Sequence, residues 1–214
     1  MKDLSNYRRS YEKSRLVEQN LPEEPMALFK TWFIEAEGFD TGAEVNAMTV
    51  STIGLDGFPK SRVVLLKHFS EEGFTFFTNY NSEKGKAIAA NPNVCLSFFW
   101  YELERQVIIK GRAEKTTEDI SEAYFQSRPE GSRLGAVVSP QSEVIPSRES
   151  IEENLRDLEK EYSDKQILRP AHWGGYIVKP VEVEFWQGRP NRLHDRIRYK
   201  LLDNSSWKME RLAP

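Results

Sequence analysis

The chain has 214 residues, of which 39% are hydrophobic, so it is long enough to bury a substantial core. Its formal charge of -3 argues against nucleic acids and anionic membranes as partners, because such partners usually select a basic excess. A single cysteine, Cys95, excludes an intrachain disulfide, and neither a signal peptide nor an apolar run of roughly 20 residues is present, so we expect a cytoplasmic protein without a membrane span.

The first 24 residues are polar and basic, and they end in a proline-rich stretch that interrupts any helix. We expect residues 1–24 to form a mobile arm and residues 25–214 to form a single domain. From Pro25, which suits a first helical turn, apolar residues recur at helical spacing to about Glu37. This spacing predicts a helix that packs on the core.

Strands dominate the next part of the chain. Alternating and β-branched residues predict a hairpin over 47–53 and 61–67, with its turn at Asp56-Gly57. Further strands are predicted over 74–78, 93–101, 105–114, 175–179, 181–187, 198–202 and 207–212, and helices over 81–90, 117–127, 132–138 and 147–162. Short strands with helices inserted late predict a mainly β, barrel-like domain with added helices, and not an alternating βαβ sheet.

Four consecutive aromatic residues, Phe98 to Tyr101, stand at the end of one predicted strand. We expect these side chains to be exposed on a single chain and to need burial in a subunit interface, because large exposed apolar patches mark association sites.

A predicted helix end carries residues suited to an anion. Tyr124 and Arg128 are four apart and share a helix face, and Pro129 disfavours a helical conformation at Arg128. Ser132 is expected to begin and cap the next helix, where free backbone N–H groups attract an anion. The three residues therefore predict a phosphate cradle, although a surface helix with an ordinary cap would have the same pattern.

The segment from Phe185 to Arg196 holds a tryptophan, three arginines and a histidine, a combination typical of an anion site. Arg192 and His194 are two apart, so in an extended segment they would point the same way and could flank one flat ring. The guanidinium can stack and neutralise negative charge, and the imidazole can exchange a proton near neutral pH. As isolated residues they would more often be surface ion-pair partners, particularly with Asp195 between them.

Together with Arg62 to Lys67, with Tyr124 to Pro129 and with the closing Trp207 to Pro214, this segment resembles the pyridoxine (pyridoxamine) 5'-phosphate oxidases over nearly the whole chain. The resemblance implies an FMN-binding split β-barrel. It also implies oxidation of pyridoxamine 5'-phosphate and pyridoxine 5'-phosphate to pyridoxal 5'-phosphate, with O2 reduced to H2O2. A homodimer with FMN at the subunit interface is implied as well.

The resemblance also assigns roles to individual residues, and it assigns none to a metal. The expected FMN-binding residues are Arg62, Val63, Val64, Leu65, Leu66, Lys67, Phe77, Thr78, Lys84, Gln106, Gln141, Ser142, Trp186 and Arg196. The expected substrate-binding residues are Lys67, Tyr124, Arg128, Ser132, Arg192 and His194, with Arg8 and Tyr11 of the arm closing over the substrate. Arg192 and His194 are the expected catalytic residues, through charge stabilisation and orientation.

Two features qualify these roles. Arg62 and Lys67 are five apart, so in a regular strand they face opposite sides and do not grip one phosphate together. Relatives often have a basic residue directly before Lys84, and here Glu83 occupies that position, which leaves three alternatives for this part of the flavin phosphate contact: it is lost, it is shifted, or it is not essential.

Three other functions stay open from the sequence. A related split-barrel flavin oxidoreductase with a different substrate would use the same fold. A binding protein could carry flavin or pyridoxal phosphate without turnover. A nucleic-acid-binding β-barrel is disfavoured by the acidic balance.

Overall fold

The computed structural model describes residues 2–7, 9–39 and 44–214. In these parts, five helices occur: α1 Pro25–Glu37, α2 Glu83–Ala90, α3 Glu118–Ser127, α4 Glu130–Val138 and α5 Arg148–Glu161. The strands are β1 Ala47–Ile53, β2 Pro59–Leu65, β3 His68–Ser70, β4 Gly73–Asn79, β5 Asn93–Trp100, β6 Arg105–Lys115, β7 Trp173–Gln187, β8 Asp195–Leu201 and β9 Trp207–Leu212. Their hydrogen-bonding order is β2-β1-β5-β6-β7-β4-β3, and β8 pairs with β7 and β9.

The predicted class, mainly β with added helices, is confirmed, and α1 has the predicted bounds. Two predicted strands, 175–179 and 181–187, are wrong as separate elements, because they form the single strand β7. Pro180 is tolerated there because it lies between the residues that pair with β4 and those that pair with β8. The short strand β3 was not predicted, since three residues carry too little periodicity.

The described chain divides into two compact units, unit 1 and unit 2, and unit 2 consists of residues 51–94 and 112–179. In it, β4 pairs antiparallel with the first half of β7, from Phe74 opposite Val178 to Asn79 opposite Trp173. Helices α3 and α4 bury Phe125 and Leu134 in a cluster with Trp173. This packing holds the α3–α4 junction and the start of β7 together.

Unit 1 consists of the described residues within 1–50, 95–111 and 180–214. Helix α1 packs its aromatic face on the strands: the ring centroids of Phe29 and Phe98 are 5.2 Å apart, and those of Trp32 and Phe185 are 5.1 Å apart. The second half of β7 pairs with β8, and β8 with β9, both antiparallel.

The expectation that Phe98 to Tyr101 are all exposed on a single chain is wrong for two of them. Phe98 is fully buried and Trp100 nearly so, whereas Phe99 and Tyr101 are about half exposed. Residues along β5 alternate between two faces, so every second aromatic side chain enters the core of unit 1.

None of the helices in the described ranges combines the length and the apolar character that crossing a membrane requires.

Candidate active site

Unit 2 contains a cavity of about 620 Å³, which we call the anchor cavity. Most of the residues predicted to bind a phosphate or the flavin in this part of the chain line it. The lining consists of Val63, Val64, Leu65, Lys67, Phe77, Thr78, Asn79, Lys84, Tyr124, Arg128, Pro129, Ser132, Gly135, Ala136, Ser139, Gln141 and Trp173. Residues that are far apart in sequence thus meet at one concave surface with several cationic side chains.

The α3–α4 junction forms one wall of the anchor cavity. Arg128 follows α3 in an extended conformation (φ -76°, ψ 148°), as the following proline requires. The prediction that Ser132 begins and caps α4 is wrong: α4 begins at Glu130, and the N–H of Ser132 donates to the carbonyl of Pro129 at 2.9 Å. The helix starts earlier because Pro129, with φ -52° and ψ 146°, occupies the N-cap position that Ser132 was expected to occupy. Ser132 nevertheless lines the cavity together with Tyr124 and Arg128.

Arg128 lines this wall with a polar group that the protein does not satisfy. Its guanidinium lies 4.7 Å above the ring of Trp173, and its Nη1 is buried without a hydrogen-bond partner. Burial lowers the pKa of Arg128 from its ordinary value. A buried, unpartnered N–H of a cation is costly, so an anion that accepts a hydrogen bond from it would be stabilised.

Stacked aromatic rings form a second wall. The ring of Phe77 lies 3.9 Å from that of Tyr124 and 5.7 Å from that of Trp173, and both pairs are near parallel. Gly175 makes room for this stack, since a Cβ there would come within 2.9 Å of the Phe77 ring. Trp173 was missed by the sequence reasoning, although an aromatic residue directly before the pair Gly174-Gly175 is a signal of close packing.

Lys84 lines the cavity from α2, and Arg62, on β2, is near enough for its charge to act on Lys84 but is not part of the lining; we call the two residues the cation pair. The ammonium of Lys84 donates to Thr78 Oγ1 and to Gln141 Oε1, both at 3.1 Å. Burial, followed by the positive charge of Arg62, lowers the pKa of Lys84. Arg62 donates from Nη1 to Thr52 Oγ1 at 2.8 Å, and burial lowers its pKa as well. A lysine whose charge is disfavoured by burial and by a neighbouring arginine is suited to an anionic group such as a phosphate.

Glu83 modifies this cation pair. Its carboxylate forms an ion pair with Lys60, and its negative charge acts to raise the pKa of both Arg62 and Lys84. The sequence departure at this position therefore puts an acid beside the cations, and Lys60 partly offsets it.

A second pocket, of about 570 Å³, lies in unit 1, and we call it the arginine pocket. It is lined by Tyr7, Arg9, Ser10, Tyr11, Arg189, Asn191, Arg192 and His194. The predicted residues Tyr11, Arg192 and His194 are therefore brought together. Arg9, Ser10, Arg189 and Asn191 were not predicted, although the density of arginines in both segments was a signal. The predicted residue Arg8 lies outside the described residues.

Arg192 and His194 share this pocket for a different reason from the predicted one. The expectation of an extended segment is wrong, because Pro190–Arg192 forms a 3-10 turn in which Asn191 and Arg192 have positive φ angles of 57° and 61°. The backbone N–H of Arg189 donates to Nδ1 of His194 at 3.1 Å and closes the turn. Burial and the charge of Arg192 lower the pKa of His194, which favours the neutral form of its imidazole.

Aromatic rings support His194. Its ring lies 4.6 Å from that of Trp186 and 5.9 Å from that of Tyr11, and Tyr11 makes an edge contact with Trp186 at 5.8 Å. The predicted flavin contact Trp186 thus holds the histidine and the arm residue in place.

Four other predicted flavin-binding residues have separate surroundings. Leu66 is buried in the core, Gln106 is partly exposed on β6, and Ser142 lines a smaller pocket with Asp56 and Glu143. Arg196 donates two hydrogen bonds to the carboxylate of Glu184, at 2.7 and 3.1 Å, and a third to the carbonyl of Ala213. Its charge is therefore already paired.

No cluster of three or more metal-ligating side chains is found among the residues that the structure describes. The chemistry of both pockets is that of cations, hydroxyl groups and aromatic rings.

Similarity to known proteins agrees with this chemistry. The family model for pyridoxamine 5'-phosphate oxidase matches residues 36–160, and the model for the pyridoxine 5'-phosphate oxidase C-terminal dimerisation region matches residues 173–214. A pyridoxine/pyridoxamine 5'-phosphate oxidase of Flavobacterium johnsoniae is 71% identical over the full length of both chains. The enzyme of the same name from a Nostoc species is 51% identical over 99% of this chain and 98% of its own.

Solved structures show the same fold. PhzG from Burkholderia lata, in complex with tetrahydrophenazine-1-carboxylic acid, superposes with a TM-score of 0.84 at 27% identity, over 93% of this chain and 98% of its own. A pyridoxamine 5'-phosphate oxidase-related, FMN-binding protein from Nostoc punctiforme has a TM-score of 0.68 at 16% identity, over 93% and 98%. The predicted split-barrel fold is confirmed, and the chain belongs to the pyridoxine/pyridoxamine 5'-phosphate oxidase family.

Proposed function

We propose that this protein oxidises pyridoxamine 5'-phosphate and pyridoxine 5'-phosphate to pyridoxal 5'-phosphate, with FMN as cofactor and O2 as electron acceptor. The observation that carries the proposal is the buried, unpartnered Nη1 of Arg128 in the anchor cavity. Lys67, Tyr124 and Ser132 line the same cavity, so three further polar side chains are available to a phosphate.

The residues present fit an FMN. The cation pair supplies positive charge for its phosphate, and the strand residues Val63, Val64 and Leu65 offer backbone groups along the anchor cavity. When bound, the flavin accepts the two electrons that the substrate loses. The protein's own contribution is to bind, orient and set the charge around the substrate.

The phosphate of the substrate lies far from its reacting carbon, and this separation gives the anchor residues their role. In the proposed mechanism Arg128, Lys67, Tyr124 and Ser132 hold the phosphate, and remote binding energy orients the ring. Arg192 stabilises negative charge on the substrate, and the neutral imidazole of His194 orients it by hydrogen bonding. Unphosphorylated pyridoxamine should therefore be a poor substrate.

We also propose a homodimer with the FMN at the subunit interface, where residues of both chains line it. The match of residues 173–214 to a dimerisation region supports this assembly.

The test is an assay of product and peroxide with each vitamin phosphate in air. We expect one H2O2 for each pyridoxal 5'-phosphate formed. Flavin binding without turnover of either substrate would contradict the proposal and favour a related flavin oxidoreductase. In that case, reaction with tetrahydrophenazine-1-carboxylic acid, the ligand of the PhzG structure, would be examined next.

A further inference from the structure

Glu104 is a buried acid in an unusual backbone conformation. It follows the 3-10 turn Tyr101–Leu103 with φ 55° and ψ 40°, in the left-handed region that L side chains rarely adopt. Its side chain is only 3% exposed. A buried carboxylate is costly unless hydrogen bonds and charges satisfy it, so its contacts indicate what it stabilises.

The carboxylate of Glu104 binds the N-terminal segment. Its Oε2 accepts hydrogen bonds from the backbone N–H groups of Glu12, at 2.8 Å, and Lys13, at 3.1 Å. Its Oε1 lies 3.9 Å from Nε of Arg9, a residue that lines the arginine pocket. Backbone N–H groups bonded to a charged acceptor form some of the stronger hydrogen bonds in proteins. The side chain thus fixes residues 9–13 at several points.

The main chain of Glu104 binds Gln187 and Gly188, which directly precede Arg189 of the same pocket. Its carbonyl accepts hydrogen bonds from the N–H of Gly188, at 2.8 Å, and from Nε2 of the buried Gln187, at 3.2 Å. Gly188 in turn lies directly against Tyr11, since a Cβ there would be 2.7 Å from the Cβ of Tyr11. Glu104 therefore links Glu12 and Lys13, which directly follow Tyr11, to the turn at Gly188 that leads into the arginine pocket.

A second attachment follows along the N-terminal segment. The N–H of Leu16 donates to Oδ2 of Asp195 at 3.1 Å, and Arg189 donates from Nη1 to the carbonyl of Ser14 at 3.1 Å. These contacts fix the far end of the segment. At the end next to Tyr11, Glu104 binds the backbone of Glu12 and Lys13, while the side chains of Arg9 and Lys13 donate to the hydroxyl of Tyr101 and to the carbonyl of Glu102.

We propose that Glu104 is a positioning residue that holds Glu12 and Lys13 against the Gly188 turn and thereby places Tyr11 beside Trp186 and His194. The expected effect of Glu104 on turnover rests on the proposed function, whereas its effect on the N-terminal segment does not.

The experiment compares Glu104→Ala with Glu104→Gln and with the control Glu102→Ala. Glu102 is two residues away and also faces Lys13, with 3.9 Å between Oε2 and Nζ, but its side chain is 45% exposed. Each variant is assayed, as the FMN-loaded protein, for kcat and KM with pyridoxamine 5'-phosphate. The rate of tryptic cleavage after Lys13 is measured on the same samples by mass spectrometry.

Glu104→Ala should raise KM about tenfold and leave kcat and FMN content little changed, because two charged hydrogen bonds are lost. For the same reason, tryptic cleavage after Lys13 should become about tenfold faster. Glu104→Gln keeps an oxygen acceptor for both N–H groups and should give an intermediate result. Glu102→Ala should match the wild type. This KM-selective loss and its partial rescue would not follow from a general loss of stability.

Two results would overturn the proposal: unchanged KM and cleavage in Glu104→Ala, or faster cleavage without a change in KM. If Glu104→Ala does not fold, Gly188→Ala carries the test, since its Cβ would displace Tyr11 while Glu104 remains. It should then raise KM by a similar factor, and an unchanged KM would refute the placement of Tyr11. If the wild type does not turn over either vitamin phosphate, the proposed function has failed, whereas the cleavage rates still decide whether Glu104 holds the segment.

Discussion

Replacing Arg128 with alanine should weaken catalysis far more for substrates that carry the phosphate than for those that lack it. The buried Nη1 of Arg128 has no partner within the protein, so its hydrogen-bonding capacity is available to a ligand. Burial also lowers the pKa of the guanidinium, which a bound dianion would reverse. The substitution removes this cation from the anchor cavity and leaves Lys67 and Ser132 in the lining.

The size of the loss follows from the type of contact. A hydrogen bond to a charged group contributes about 1.5–3 kcal/mol. At 1.4 kcal/mol for each factor of ten, kcat/KM for pyridoxamine 5'-phosphate should fall about 10- to 150-fold. The stacking of Arg128 on Trp173 is lost as well, but it affects both substrates equally because it involves no ligand phosphate.

The assay measures kcat/KM for pyridoxamine 5'-phosphate and for pyridoxamine in the wild type, in Arg128→Ala and in Arg133→Ala. Arg133 is the matched control because it lies in α4, donates to Gln126 and does not line the cavity. The phosphate preference should collapse in Arg128→Ala and persist in Arg133→Ala. A parallel loss for both substrates in Arg128→Ala would refute the phosphate assignment.

Three further predictions test other parts of the account. Glu83→Gln should tighten FMN binding about two- to fivefold, which is the range of an exposed charge contact, because the substitution removes an acid beside the cation pair. Fluorescence titration measures the FMN affinity, and weaker binding in the variant would contradict the reasoning. Gly175→Ala should cost about 1–3 kcal/mol by overpacking against Thr116 and Phe77, and an unchanged melting temperature would disprove this close packing. The pKa of His194, measured by NMR titration, should lie below 6.5 and should rise in Arg192→Ala. Because the folded state lowers that pKa, the stability contributed by the neutral imidazole is present above pH 6.5 and is lost as pH falls through the lowered pKa.

Local patterns predicted most of the fold. The bounds of α1 followed from helical spacing and an N-terminal proline, and the strand-rich middle followed from alternation. The alternation in β5 had the same basis, yet Phe98 and Trp100 were expected outside the core. Consecutive apolar residues do not reveal which face is buried, because that depends on the helix that packs above the strand.

The candidate residues were easier to predict than their geometry. Arg192 and His194 share a pocket through two consecutive positive φ angles, which no periodicity encodes. Ser132 contributes from inside a helix and not from its cap, because Pro129 begins the turn earlier. The part played by Glu104 could not be read from the sequence, since its partners are about 80 to 90 residues away and reach it through backbone groups.

The most direct test of the central claim is anaerobic mixing of the FMN-loaded protein with one equivalent of pyridoxamine 5'-phosphate while the flavin absorbance is recorded. We expect the yellow colour to bleach as pyridoxal 5'-phosphate forms and to return when air is admitted. A flavin spectrum that stays oxidised in the presence of bound substrate would contradict the assignment of this chain as an oxidase of vitamin phosphates.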